Sequence, residues 1–199
     1  MNAASEDVPD RKWQARNTLM AILPIITAPD PKLKQRCQPV GAVNDEVRRL
    51  ADDMLETMYQ APGIGLAAPQ VGVLRRIIVV DVARPNDGEA PAPHCLINPE
   101  LIWTSDDARA HEEGCLSLPD HYAEVVRPER IRVGFVDREG ERQEMEADGL
   151  LATCIQHEMD HLEGILFVDH LSGLRRSMIL RKLTKAKRGD KPLAKYATA

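Results

Sequence analysis

A single stretch, DGLLATCIQHEMDHLEG from Asp148 to Gly164, constrains the fold more than any other part of the sequence. Its first residue is a good helix N-cap, its last is a good helix stop, and the apolar residues between them recur at helical spacing. A helix here places His157 and His161 on one face, one turn apart, where both imidazoles can bind one metal ion. Glu158 is then within reach of a water on that metal. Because buried histidine and glutamate are costly unless paired or ligated, the stretch predicts a central metal site.

Composition places the chain among ordinary globular proteins. Its 199 residues suit one domain with a sizeable core, and the contents of 43% hydrophobic and 29% charged residues are typical of soluble proteins. No apolar run is long enough to cross a membrane. The four cysteines lack the density of a disulfide scaffold, so a reducing, cytoplasmic location is predicted.

The charge is distributed unevenly along the chain. From Leu171 to Ala199 there are nine lysines and arginines and one aspartate, a net charge of +8. The rest of the chain carries 17 basic and 30 acidic residues, a net charge of −13. A basic segment on an acidic body favours an anionic partner, although a solvated helix is the commoner origin of such a charge run.

The order of the predicted elements indicates the fold class. One helix starts after Asn44 and ends near Ala61, and another starts after Ser172 and runs to about Lys187. The predicted strands lie near residues 23–27, 77–82, 95–99, 101–103, 123–126, 130–136, 143–147 and 165–168. Because strands mostly follow one another, we predict an α+β fold with antiparallel β-sheets packed around the central metal-binding helix, and a C-terminal helix.

The third metal ligand is not obvious from the sequence after the helix. A metzincin would have its third histidine where this chain has Phe167, and no glutamate follows Glu163 to serve as in thermolysin-like enzymes. Asp169 and His170 remain possible ligands, but they fit neither pattern. A ligand from upstream is therefore favoured.

Cys115 is the best upstream candidate. It follows Gly114, which allows close backbone approach, and a thiolate is a good ligand for zinc or ferrous iron. Cys154, one turn before His157, could compete with it. The alternative for either cysteine is a small buried hydrophobic residue.

The loop GIGLAAPQVG at residues 63–72 consists mainly of small residues that let another backbone approach closely. Two interpretations remain open: a tight loop packed under a sheet, or a substrate-facing loop with Gln70 as its amide donor.

Three motifs together resemble those of the bacterial-type peptide deformylases. They are GIGLAAPQ at residues 63–70, EGCLS at 113–117 and QHEMDH at 156–161, and they occur in the family's order. The resemblance covers roughly residues 22–172. It implies a hydrolase that removes the formyl group from the initiator methionine of nascent polypeptides and releases formate.

The resemblance also implies the roles of individual residues. Cys115, His157 and His161 would be the metal ligands, Glu158 the acid/base, and Gln70 with Leu116 the oxyanion donors. The implied metal is Fe(II), with zinc, nickel or cobalt able to take its place. The implied substrate-binding residues are Ile64, Gly65, Gly114, Leu150, Cys154 and His157.

These patterns divide the chain into three segments and predict one macromolecular partner. We expect a disordered extension at residues 1–19, the catalytic domain at 20–172, and a basic helix and tail at 173–199. The basic helix predicts contact with the ribosome, without sequence-specific nucleic-acid binding and without membrane binding. Two rival interpretations remain: a metallopeptidase that cuts internal bonds, and a non-enzymatic protein with a structural metal site.

Overall fold

The computed structural model of the chain describes residues 20–83 and 88–188. The expected extension at residues 1–19 and the tail beyond residue 188 lie outside these ranges. Short 3-10 turns in these ranges include Pro31–Lys34, Ala68–Val71 and Phe167–His170. The helices and strands are α1 (Asp45–Gln60), β1 (Gly65–Ala67), β2 (Ile77–Val80), β3 (His94–Thr104), β4 (Ala108–Gly114), β5 (Tyr122–Pro128), β6 (Arg130–Val136), β7 (Arg142–Asp148), α2 (Gly149–Leu162) and α3 (Gly173–Arg188).

Two antiparallel sheets enclose the central helix α2. Five strands form one sheet in the order β1-β2-β3-β6-β7, and β4 pairs with β5 in a separate two-stranded sheet. Helix α2 packs against strands of both sheets. The predicted α+β class with antiparallel sheets around the metal-binding helix is therefore confirmed.

Helix α1 forms where its cap and apolar spacing predict it. The Asn44 side chain caps the helix by accepting a hydrogen bond from the Val47 backbone N–H at 3.0 Å. Met54 and Met58, both fully buried, extend the same apolar face along the helix. This face packs on β1 and β2, so α1 covers the five-stranded sheet on the side away from α2.

Helix α2 is buried over most of its surface, and its buried residues include polar as well as apolar side chains. Nine of its residues are buried, including Cys154, His157, Glu158 and His161. Asp148 takes the N-cap position, but its side chain makes no capping hydrogen bond. The helix thus depends on tertiary packing rather than on its cap for stability.

Several predicted strands differ from the structure. Residues 23–27 are not a strand, because only isolated backbone bonds such as that from Ile26 N to Gln70 O, 2.8 Å, hold them. The two strands predicted at 95–99 and 101–103 are one strand, β3, which continues through a bulge after Ile97. Residues 165–168 enter a 3-10 turn because the Asp169 carboxylate accepts a hydrogen bond from the Leu166 N–H at 2.8 Å. Strand β4 was not predicted, since its sequence ARAHEEG lacks β-branched residues.

Helix α3 begins and ends close to its predicted limits. It packs on the body through Leu183, which is buried, while Leu174 and Met178 are exposed. No helix within the described residues is long and apolar enough to cross a membrane.

Gly164 ends α2 with a backbone conformation that favours glycine, at φ +73°. A Cβ here would lie 2.7 Å from the backbone carbonyl carbon and oxygen of Lys34. We expect Gly164→Ala to lower the free energy of unfolding by about 2–4 kcal/mol through strain and overpacking. Urea unfolding curves followed by circular dichroism measure this loss.

Gly173→Ala provides the matched control, because a Cβ at Gly173 meets no atom within 4 Å. This substitution should be neutral or stabilise the protein by up to about 1 kcal/mol. Equal losses of stability in the two variants would contradict the role assigned to Gly164.

Candidate metal centre and substrate pocket

The two histidines of α2 and a cysteine after β4 come together in the structure. One ligand atom from each of Cys115, His157 and His161 lies within 4.8 Å of the others, and this is the only such group found in the described part of the chain. Cys115 Sγ is 3.2 Å from His161 Nε2. The two imidazole centroids are 5.1 Å apart at an interplanar angle of 70°. One thiolate and two imidazoles in this arrangement can hold one transition-metal ion.

The environment of His161 also suits a metal ligand. Burial lowers the pKa of His161 well below its ordinary value, which keeps the ring neutral and its nitrogen available as a ligand. Three protein ligands leave one position open for water or substrate, as in catalytic sites and unlike closed structural sites. The residues present therefore fit a catalytic metal ion.

Glu113, on β4, fixes the orientation of His157. Its Oε2 lies 2.8 Å from His157 Nδ1, so the opposite ring nitrogen, Nε2, faces the cluster. Burial alone would raise the pKa of Glu113, but hydrogen bonds from His157 and Arg127 hold that pKa at about 2. Glu113 is therefore ionised and keeps a proton on Nδ1.

Arg127, on β5, holds Glu113 in turn. Its Nε and Nη2 bond the two Glu113 carboxylate oxygens at 2.5 and 3.0 Å, and both side chains are almost completely buried. Its Nη1 also pairs with Asp160 on α2 at 2.9 Å. One guanidinium thus connects the two-stranded sheet to the central helix beside the metal cluster.

The Gln70 side chain is oriented toward the cluster. Its Oε1 accepts a hydrogen bond from the Ala67 backbone N–H at 2.7 Å, which turns its Nε2 toward Cys115 Sγ at 3.5 Å and Ser117 Oγ at 3.3 Å. Residues 63–72 include β1 and a 3-10 turn, and β1 pairs with β2, as expected of a loop packed under a sheet. A role for Gln70 toward substrate stays a prediction.

Glu158 lies in a pocket of about 290 Å³ beside the cluster. Its Oε2 is buried and has no hydrogen-bond partner among the described residues. Burial raises the pKa of Glu158 to about 7, so the carboxylate can gain or lose a proton near neutral pH. Every residue predicted to bind substrate lines this pocket, together with Cys115 and Leu116: Ile64, Gly65, Gly114, Leu150, Cys154 and His157.

Cys154 does not join the three-residue cluster. Its thiol donates to the Ile64 carbonyl oxygen at 3.3 Å, and burial raises its pKa well above the ordinary value. A neutral thiol is a wall of the pocket rather than a ligand.

The possible downstream ligands are also engaged elsewhere. The His170 Nε2 contacts Asp160 at 2.7 Å, and the Asp169 carboxylate accepts hydrogen bonds from Leu166 and Arg176. Neither belongs to the metal cluster, so the expectation of an upstream ligand agrees with the geometry.

Sequence reasoning missed the residues that orient His157. In the sequence Glu113 and Asp160 occur only as members of the EGCLS and QHEMDH motifs, and Arg127 belongs to no motif. One signal was present, because Ala123, Val125 and Arg127 alternate along β5 and all three are buried. An arginine on an inward-facing position predicts a buried carboxylate partner.

Comparison with known proteins identifies the same family as the motifs. The family model described as polypeptide deformylase matches residues 22–177. The peptide deformylase of Methylocella silvestris is 58% identical over 172 residues, which cover 86% of this chain and 88% of that protein.

Solved structures similar to this one belong to the same family. The crystal structure of peptide deformylase from Ehrlichia chaffeensis has a TM-score of 0.81 at 39% identity and covers 85% of this chain and 99% of its own. That of a class I type b peptide deformylase from Acinetobacter baumannii, with Met-Ala-Ser bound, has a TM-score of 0.72 at 34% identity and covers 77% and 100%. The chain therefore belongs to the polypeptide deformylase family, metal-dependent hydrolases that remove the N-terminal formyl group from nascent polypeptides.

Proposed function

We propose that Cys115, His157 and His161 hold the metal ion with which this chain deformylates peptides that begin with formyl-methionine. The observation that carries the proposal is the convergence of three ligand atoms within 4.8 Å beside the unpaired carboxylate oxygen of Glu158. A bound divalent ion supplies a Lewis acid that polarises the formyl carbonyl and lowers the pKa of a water molecule. Fe(II) is the ion we propose, and the ligand set also accepts zinc, nickel or cobalt.

Glu158 is the proton carrier in this proposal. With a pKa of about 7 it can take the proton of the attacking water and then deliver it to the methionine nitrogen as the C–N bond breaks. Its unpaired, buried Oε2 lies in the pocket that would receive the formyl group. Formate and a free amino terminus are the products.

Gln70 and Leu116 are the proposed oxyanion donors. The Gln70 amide is held by Ala67 so that its N–H groups face the cluster, and this orientation costs no rearrangement during the reaction. The Leu116 backbone N–H has no hydrogen-bond acceptor among residues 20–83 and 88–188, and Leu116 lines the pocket. Both donors can stabilise negative charge that develops on the formyl oxygen.

The substrate backbone can pair with two free strand edges. Among the described residues β1 pairs only with β2 and β4 only with β5, so each sheet presents an open edge at the pocket. Gly65 of β1 and Gly114 of β4 both line the pocket, and a peptide lying between these two edges would add a strand. The Acinetobacter relative has the peptide Met-Ala-Ser bound, which supports peptide binding by this chain. Such pairing reads main chain, which suits an enzyme with many protein substrates.

A formate-release assay tests the proposed function. The protein, purified anaerobically and analysed for metal, is incubated with a formyl-Met peptide and with the same peptide lacking the formyl group. Formate release from the first and no cleavage of the second supports the proposal. Internal cleavage of the unblocked peptide would instead support a metallopeptidase, and no reaction with metal bound would support a structural site.

Glu158→Gln should retain the fold and the metal but lose activity. Removal of a general acid/base typically costs ~10²–10⁴-fold in turnover, so we expect a loss in that range. The measurements are kcat on a formyl-Met peptide and metal content after gel filtration. Wild-type kcat in the metal-loaded variant would exclude Glu158 from the mechanism.

Cys115→Ala should strip the metal from the protein, whereas Cys154→Ala should leave it bound. The reason is that the Cys115 sulfur lies in the cluster, while Cys154 donates a hydrogen bond to Ile64. Both variants remove a sulfur atom close to the pocket, so they are matched. Metal analysis after dialysis decides between them, and the reverse result would transfer the ligand role to Cys154.

We also propose that α3 contacts the ribosome. Arg175, Arg181, Lys182, Lys185 and Lys187 have exposed side chains on α3. Arg176, which the sequence grouped with them, instead donates to Asp169 at 2.7 Å and holds the helix on the body. A concentrated positive surface attracts phosphate backbones by counterion release. The buried Leu183 anchors the helix to the body. Leu174 is exposed and is available for contact with the ribosome.

Replacement of Arg181, Lys182 and Lys185 together by glutamine tests this contact without removing the buried Leu183. We expect weaker co-sedimentation with ribosomes. The slope of the logarithm of the binding constant against the logarithm of the salt concentration should be smaller in magnitude by about 2–3. The control is the same change at Lys32, Arg49 and Arg142, which are exposed on other elements. Equal co-sedimentation of both triple variants, with unchanged activity on a short peptide, would contradict the docking role of α3.

The catalytic domain is proposed to comprise residues 20–172, with α3 and the following residues as the basic segment. Two hydrogen bonds tie the start of this domain to α1: Ala21 N donates to Asp53 Oδ1 at 2.8 Å and Leu23 N donates to Thr57 Oγ1 at 2.9 Å. Met20 is therefore a suitable first residue for the folded body, and residues 1–19 are proposed to be dispensable. A cytoplasmic location is proposed because all four cysteines are free, which suits a reducing compartment.

A further inference from the structure

We propose that the 3-10 turn Phe167–His170 positions the metal ligand His157 by two separate routes, which makes Phe167 and His170 positioning residues. The inference rests on the proposed metal site. The turn follows α2 in the chain and precedes α3, and its first and last side chains both reach the surroundings of the cluster. In a 3-10 turn residues three apart project from the same side, so one short turn can present both.

The first route is a stacked ring. The Phe167 ring lies 6.2 Å from the His157 ring, centroid to centroid, at an interplanar angle of 23°. Phe167 is 1% exposed and belongs to the apolar cluster beneath the β4–β5 hairpin. A buried ring parallel to the imidazole restricts rotation of that imidazole about its side-chain bonds, because rotation would drive one ring into the other.

The second route is a chain of hydrogen-bonded charges. His170 Nε2 lies 2.7 Å from Asp160 Oδ2, and Asp160 pairs with Arg127 at 2.9 Å. Arg127 then holds Glu113, whose Oε2 contacts His157 Nδ1 at 2.8 Å. His170 is the outer end of this chain, and its N–H is positioned to donate to Asp160. Loss of that donor leaves the Asp160 carboxylate held by Arg127 alone, which loosens the guanidinium that fixes Glu113.

The turn itself is rigid enough to serve this purpose. The Asp169 carboxylate accepts hydrogen bonds from the Leu166 backbone N–H and from Arg176 Nε, at 2.8 and 2.7 Å, and pairs with Lys34. Three donors from separate parts of the chain therefore hold the middle of the turn. Phe167 and His170 extend from a fixed backbone, so their contacts restrain His157 instead of following its motion.

Metal release measured with Co(II) tests the inference. The variants are His170→Ala, His170→Gln, in which the amide N–H replaces the donor, and Phe167→Leu. The controls are His94→Ala, at a half-buried histidine of β3, and Phe135→Leu, at the only other phenylalanine of the chain. Each protein is loaded with Co(II), its visible spectrum is recorded, and metal release into excess chelator is timed. Urea unfolding of each metal-free protein measures any general loss of stability.

We expect Co(II) release from His170→Ala and Phe167→Leu to be about tenfold faster than from the wild type, the lower end of the effect of outer partners of ligands. His170→Gln should restore the slow rate, and Phe167→Leu should shift the Co(II) bands. Both controls should keep the wild-type rate even where they lower stability. A purely structural role would make release follow stability in variants and controls alike.

Two results would overturn the inference in different ways. If the wild type shows Co(II)–thiolate absorption and all variants release metal at the wild-type rate, the turn has no positioning role while the proposed metal site stands. If the wild type shows no thiolate absorption, the proposed ligand set itself fails, and the inference fails with it.

Discussion

The buried guanidinium of Arg127 is the interaction on which the geometry of the site depends. It joins β5 to Glu113 of β4 and to Asp160 of α2, at a position that is 6% exposed. Each buried ion costs several kcal/mol in desolvation, and removal of one partner from such a pair typically costs about 3–5 kcal/mol. The arrangement is stable because two carboxylates supply three short bonds to one cation. The β4–β5 hairpin is a separate sheet, so this cation also determines where Cys115, just beyond β4, meets the two histidines of α2.

Two glycines allow the strand edges to approach this centre closely. A Cβ at Gly65 would lie 2.5 Å from Glu158 Oε1 and 2.7 Å from Cys154 Sγ. A Cβ at Gly114 would lie 2.5 Å from the Tyr122 ring. Any larger residue would displace the carboxylate or the ring, and with it one wall of the pocket. The free edges of β1 and β4 can face each other across the pocket because these positions carry no side chain.

How much of the molecule the sequence could predict depends on the range of the interactions involved. Local signals were sufficient for α1, with Asn44 as its cap, for α2, and for the hairpin of β6 and β7, and the succession of strands predicted the class. Local signals failed for β4, whose exposed polar residues form a strand only because β5 lies beside them. They failed also at residues 165–168, where apolar residues predicted a strand and the Asp169 carboxylate closes a turn.

Local signals predict the site, too, only where its residues are close in the sequence. His157 and His161 could be paired from spacing alone, whereas the approach of Cys115 required the family resemblance or the structure. Arg127 acts on His157 through Glu113, and the Phe167 ring stacks on His157 from beyond the end of α2. The alternation along β5 indicates that Arg127 is buried, but no local pattern indicates which carboxylate it bonds or which ring Phe167 meets. Residue type indicated which groups could ligate a metal, but only the tertiary contacts indicate what orients them.

The two carboxylates closest to His157 illustrate how surroundings assign chemistry. Glu113 and Glu158 are both about 5% exposed, so burial opposes ionisation of each. Hydrogen bonds from His157 and Arg127 overcome that cost at Glu113 and hold its pKa at about 2, whereas no such bond reaches Oε2 of Glu158, and burial raises its pKa to about 7. A group that stays ionised is suited to orient a histidine, and a group that titrates near neutrality is suited to carry a proton. One residue type can therefore serve both tasks in one site, because the Arg127 guanidinium bonds the Glu113 carboxylate and leaves Oε2 of Glu158 unpaired.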